Sequence, residues 1–179
     1  MRKILLLFYF ISVTCVTAYS NNSNLIYVKG DTTNVISNDG KKQGYWIEYK
    51  DNLRFEMYYH NDTLNGVHKT FYQNNVISSF GFYTNGEKTG VWYFFDEKGR
   101  LILEQSQIKK VKYSKKTEGE LVEYNNSSYI KYYFNNGRLK EEGFAFYNDV
   151  EEHVQKYGIW KTYDEDGKKF KTETYNKAQ

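Results

Sequence analysis

The chain has no proline and a single cysteine, Cys15, in 179 residues. Proline interrupts the hydrogen-bond ladder of a central strand, so its absence leaves room for a long continuous sheet. One cysteine excludes a disulfide framework. Charge of one sign is also scarce, with 25 Lys+Arg against 22 Asp+Glu and a net charge of +3. A protein that coats duplex DNA needs a surplus of cations to neutralise phosphates, so nucleic acid is set aside as a partner. Beyond the first twenty residues no run is apolar enough for a bilayer span of about 20 residues, and no transmembrane span is expected. No interval keeps a 3.6-residue apolar period, which predicts little or no helix. A Gly-x-Ser-x-Gly elbow, a phosphate-cradling glycine loop and an HExxH pair are all missing.

Aromatic residues are abundant instead, with 19 Tyr, 12 Phe and 3 Trp making 19% of the chain, a content incompatible with disorder. The basic start Met1-Arg2-Lys3 and the apolar run Ile4 to Val13 read as a signal peptide over 1–20. Ala18-Tyr19-Ser20 sets small residues where a signal peptidase reads, so cleavage before Asn21 is expected, with a cut after Ala18 as the alternative. Cleavage removes Cys15. The stretch Ser12-Val13-Thr14 before that cysteine leaves open a lipid anchor on Cys15. The protein is therefore expected to be exported, with a lead-in at 21–37 and a repeat domain at 38–179.

The repeat is seen by aligning on glycine: Gly44-Tyr45-Trp46, Gly66-Val67-His68, Gly90-Val91-Trp92, Gly119-Glu120-Leu121 and Gly158-Ile159-Trp160. The fifth residue after each glycine is aromatic: Tyr49, Phe71, Phe95, Tyr124 and Tyr163. All three tryptophans sit two residues after their glycine. The last interval is long enough to hold a sixth unit, visible at Tyr129 to Tyr147. Units of this length, repeated, are stacked supersecondary elements.

Asp39-Gly40, Asn61-Asp62 and Asn85-Gly86 are pairs that tolerate positive φ and suit tight hairpins. Asp96 to Gly99, Asn135 to Gly137 and Asp164 to Gly167 mark the opposite ends. The runs between them are rich in Tyr, Phe, Ile and Val, as strands are. The fold class expected is all-β, an elongated antiparallel meander of repeated hairpins in a single sheet. Alternation puts Tyr45/Ile47/Tyr49, Val67/Lys69/Phe71, Val91/Tyr93/Phe95, Val122/Tyr124 and Ile159/Lys161/Tyr163 on one face, the better core candidate from this count. Trp46/Glu48, His68/Thr70, Trp92/Phe94, Leu121/Glu123 and Trp160/Thr162 share the other, as a ladder that is either core or contact surface.

The pattern G-x-W-x-x-Y, an Asn/Asp-Gly turn and Y-x-N-G-x-x-x-G resembles the MORN repeat, and within it the variant repeats of bacterial proteins. Tyr83-Thr84-Asn85-Gly86-Glu87-Lys88-Thr89-Gly90-Val91-Trp92 carries the likeness most fully. The resemblance covers about residues 38–175 and departs at His68, Leu121 and Ile130, where tryptophan is missing. It implies a hairpin meander that serves as a scaffold, with no shared catalytic residues. Some such proteins act as antitoxins, which implies an alternative role here in neutralising a toxin outside the cytoplasm.

Candidate chemistry is sparse. His60, His68 and His153 do not supply the three or four convergent ligands that zinc needs, so no metal or other cofactor is expected. The carboxylates of Asp96/Glu97, Glu141/Glu142 and Asp164/Asp166 lie at turns or on exposed-looking strands, and an enzyme is not expected. Between Gln105 and Thr117 there is no acid, while Lys109, Lys110, Lys112, Lys115 and Lys116 surround Tyr113. These lysines suit an anionic surface or a partner protein, or else they keep a sheet edge from pairing. The function expected is a binding or scaffold module for a protein or glycan, with Trp46, Trp92, Trp160, Phe94, Lys109, Lys110 and Lys112 as candidate contacts. A one-sided core also makes self-association a live expectation.

Overall fold

The computed structural model describes residues 33–117, 120–148 and 154–176. The expected leader with Cys15, residues 21–32 of the lead-in, Gly119 and the acidic stretch Asp149 to His153 lie outside the described residues. The strands are β1 Val35–Ile36, β2 Lys42–Lys50, β3 Leu53–His60, β4 Thr63–Phe71, β5 Ile77–Thr84, β6 Glu87–Phe95, β7 Leu101–Thr117, β8 Glu120–Tyr133, β9 Leu139–Tyr147, β10 Val154–Tyr163 and β11 Lys169–Tyr175. They form one 11-stranded antiparallel sheet in chain order, the hairpin meander expected from the repeat. Among the described residues no helix is long and apolar enough to cross a membrane.

Turn chemistry sets the ends. Asn61 and Asp62 link β3 to β4, and Asn85 and Gly86 link β5 to β6, each pair with positive φ throughout. Asp51 and Asn52 do the same between β2 and β3. At the same end as the Asp51-Asn52 turn, Gly99, Gly137 and Gly167 donate to the carbonyls of Asp96, Phe134 and Asp164 to close longer turns. The repeat glycines Gly90 and Gly158, both with φ of 68°, sit where the ladder slips by two residues. Each bulges its strand just before the tryptophan.

Most of the core lies on the tryptophan face, which corrects the expectation that positions one, three and five after the glycine form it. Register runs one row across that face from Trp46 through Met57 and His68 to Gly81. It resumes from Trp92 through Gln105 and Ile130 to Gly143, and ends at Trp160 beside Glu173. Trp46, Trp92 and Trp160 keep only 8%, 2% and 1% of their surface. Indoles can lie this flat because Trp92 covers Gly81 and Trp160 covers Gly143. The opposite face fails as a core because the partner strands fill it with charge: Tyr93 is followed across the sheet by Glu104, Lys131, Glu142 and Lys161. The Lys131–Glu104 and Lys161–Glu142 pairs close at 3.3 and 3.5 Å.

The interval between Gly90 and Gly119 is lengthened by β7, of 17 residues, which forms an extended hairpin with the 14-residue β8. Beyond Gln105, β7 pairs with β8 and no longer with β6. Its outer half folds so that Tyr113 stacks on Phe146 and Phe146 on Tyr157, both at 4.2 Å between ring centroids. Lys115 donates to the Gln155 amide oxygen at 2.8 Å.

Candidate functional site

Each tryptophan unit carries a lysine two residues before its glycine, and the lysine lies over the indole. The ammonium of Lys42 is 4.6 Å from the Trp46 ring centre, that of Lys88 5.1 Å from Trp92, and that of Lys156 4.2 Å from Trp160. A cation over an indole face is attracted by the ring quadrupole. Lys42 also pairs with Glu48 at 2.6 Å and Lys156 with Glu141 at 2.5 Å. This Lys-x-Gly-x-Trp spacing is legible in the sequence, yet the glycine alignment does not single out the lysine.

The three candidate tryptophans are thus closed as contact surfaces. Phe94 is half-buried, 6.4 Å from the Trp92 ring, and is part of the same layer. The indole N–H groups of Trp46 and Trp160 donate to the carbonyls of Gln43 and Phe144 at 3.0 and 2.7 Å. The Trp92 N–H has no partner among the described residues, nor has Nδ1 of the neighbouring His68. The His68 ring lies 5.5 Å from Trp92 and 5.4 Å from Tyr83. Burial, and then the charge of Lys88, push the imidazole pKa down to about 4, so His68 is neutral at physiological pH. His60 is exposed at the end of β3 opposite Thr63, away from His68 in the ladder.

The lysine-rich segment forms the outer half of β7. Lys109, Lys110 and Lys112 are all exposed there. Only Lys110 of the three lines a cleft on the tryptophan face, together with Lys88, Tyr83, Asn126 and Tyr147. The cleft has a volume of 390 Å³.

The paired carboxylates considered for acid–base work have structural partners. Asp96 accepts from the main-chain N–H of Lys98 and Arg100 at 2.9 and 3.0 Å and from the Arg100 side chain at 2.7 Å. The Arg100 hydrogen bond holds the Asp96 carboxyl below its ordinary pKa. Asp164 accepts from the N–H groups of Asp166 and Lys168 in the corresponding turn. Burial alone would raise the Glu142 pKa, but hydrogen bonds from Tyr163 and Tyr129 and the charge of Lys161 outweigh it and lower the pKa. Glu141 and Glu142 point to opposite faces, since they are adjacent in β9.

The face opposite the tryptophans carries an aromatic patch over β2 to β6. Tyr45 meets Tyr58 at 5.3 Å, and Phe80 meets Phe82 at 5.4 Å and Tyr93 at 6.4 Å. Tyr58 and Phe82 remain 44% and 43% exposed. Compared with known proteins, the chain matches no family model and no curated protein.

Proposed function

We propose that this chain is an exported, non-enzymatic contact module of the MORN-repeat type, which binds a protein partner through the face opposite its tryptophans. The observation that carries the reading is the exposed Tyr58/Phe82 patch on a face that the core does not use. Large aromatics held on a rigid sheet offer contact area at little entropic cost, the usual chemistry of binding hot spots. The tryptophan ladder serves this indirectly, by holding the sheet in shape without spending the other face. The hairpin meander with a Lys-x-Gly-x-Trp unit supports the repeat assignment.

The test is affinity capture from native extracts with the wild-type chain and a Tyr58→Ser/Phe82→Ser double variant, with urea unfolding measured on both. A partner kept by the wild type and lost by a variant of unchanged stability supports the reading. A partner held equally by both contradicts it.

A further inference from the structure

The two ends of the sheet are unlike. At the first, the outer side of β2 is taken from Lys42 to Ile47. There β1 pairs with Lys42 and Gln43, Thr33 bridges to Tyr45, and the Asn34 amide bonds the Ile47 main chain. β1 itself has only two residues, too few to template another strand. At the last, β11 pairs with β10 on one side, and among the described residues no strand lies on its other side. Its outer row of N–H and C=O groups runs along the seven residues Lys169 to Tyr175, of which all but the half-buried Glu173 and Tyr175 are exposed. An edge of this length takes a further strand by main-chain hydrogen bonding.

The side chains of β11 say which strand fits. When two copies of β11 pair antiparallel, a two-fold axis passes through one residue, and the choice of that residue sets the register. With Thr172 on the axis, Lys171 of each copy stands opposite Glu173 of the other, Lys169 opposite Tyr175 and Phe170 opposite Thr174. The ladder to β10 sets Lys171 beside Thr162 and Glu173 beside Trp160, so both charges are on the tryptophan face. Within one chain they already pair at 2.6 Å, with side chains 53% and 38% exposed. In the paired strands the four charges alternate in sign around a square, and each keeps its own partner while gaining a second. The adjacent registers lack this match, since an axis at Lys171 sets lysine against lysine and one at Glu173 sets glutamate against glutamate. On the other face the row Glu104, Lys131, Glu142, Lys161 ends at Thr172, where a threonine pair would close it.

We propose that this protein forms a two-fold dimer by antiparallel pairing of β11 with β11 of a second copy, with Thr172 on the axis. The two 11-stranded sheets become one. Because the outer side of β2 is occupied, a copy added at β11 leaves no open edge for a third, and association closes at two. The contact uses the edge of the sheet, so it stands independently of the protein-binding patch proposed above.

The experiment is sedimentation velocity on the whole chain from about 1 to about 500 µM, with urea unfolding of every variant alongside. The wild type should show a monomer–dimer equilibrium with Kd of about 100 µM or tighter and no larger species. Lys171→Glu, at an exposed position, sets four carboxylates at the junction and weakens the dimer about tenfold or more with the unfolding transition unchanged. Glu173→Lys sets four ammonium groups there and does the same; if it unfolds more readily, Lys171→Glu alone decides. The double exchange of Lys171→Glu with Glu173→Lys restores the alternation and should return Kd to within about threefold of the wild type. The proposal is overturned if the wild type stays monomeric at about 500 µM or assembles beyond the dimer. It is equally overturned if Lys171→Glu dimerises as tightly as the wild type, or if the double exchange is folded and no tighter than the single variants.

Discussion

The indole of Trp92 occupies the space that any side chain at Gly81 would need. A Cβ added at Gly81 would lie 2.2 Å from the ring, and one added at Gly143 would lie 2.5 Å from Trp160. Two of the three tryptophans therefore depend on a glycine of the preceding strand. The repeat is a packing unit of two strands, in which one supplies the indole and the other leaves the gap.

Gly81→Ala tests that dependence. Trp92 is buried and cannot withdraw, so overpacking should destabilise the chain by about 3 kcal/mol or more in urea unfolding. Gly90→Ala is the comparison, because Gly90 has φ of 68° and nothing within 4 Å of an added Cβ. Backbone strain there should cost about 1–2 kcal/mol. Equal losses at the two sites would mean that Trp92 does not need the Gly81 gap.

Much of this fold was legible in the sequence, and the exceptions have physical causes. Asn-Asp, Asn-Gly and Asp-x-x-Gly segments announced the turns because few other residues adopt their backbone angles. The core face was misjudged because the alignment on Gly44, Gly90 and Gly158 reads one strand of each hairpin. The neighbouring strands hold Glu104, Lys131 and Glu142 on the face that looked apolar, and Gly81 and Gly143 under the indoles. A glycine that matters by having no side chain gives no pattern to read. The cleft was half visible: Lys110 stood out in its charge run, whereas Lys88 and Asn126 join its lining only through the arrangement of strands distant in the sequence.

His68 should make stability depend on pH. Its folded pKa of about 4 lies below the unfolded value of 6.5, since burial and Lys88 disfavour the imidazolium. The unfolded chain thus takes up a proton first as pH falls. The contribution is fully present above pH 6.5 and is lost on acidification toward pH 4. His68→Phe should remove this part of the slope. It also removes the unpartnered Nδ1, so the variant should be at least as stable as the wild type at pH 5. An identical slope in both proteins would show that His68 is as easily protonated when folded as when unfolded.

Asn34 acts as a short strand beside β2. Its amide oxygen accepts from the Ile47 N–H at 2.7 Å and its amide nitrogen donates to the Ile47 carbonyl at 3.0 Å. Asn34→Ala removes both bonds and leaves a residue with φ of 57° that alanine tolerates poorly. A loss of about 1–2 kcal/mol in unfolding free energy is expected. Faster amide exchange at Ile47 should accompany it, and unchanged exchange there would show that the side chain does not hold this edge.

The central claim is that the tryptophan face holds the fold and the Tyr58/Phe82 face does not. The most direct measurement is urea unfolding of Trp92→Ala beside Phe82→Ser under one set of conditions. Trp92→Ala should lose about 3–5 kcal/mol, as truncation of a buried aromatic does. Phe82→Ser should stay within about 1 kcal/mol of the wild type, since its side chain is 43% exposed. The reverse order, with Phe82→Ser the more damaging change, would contradict the account.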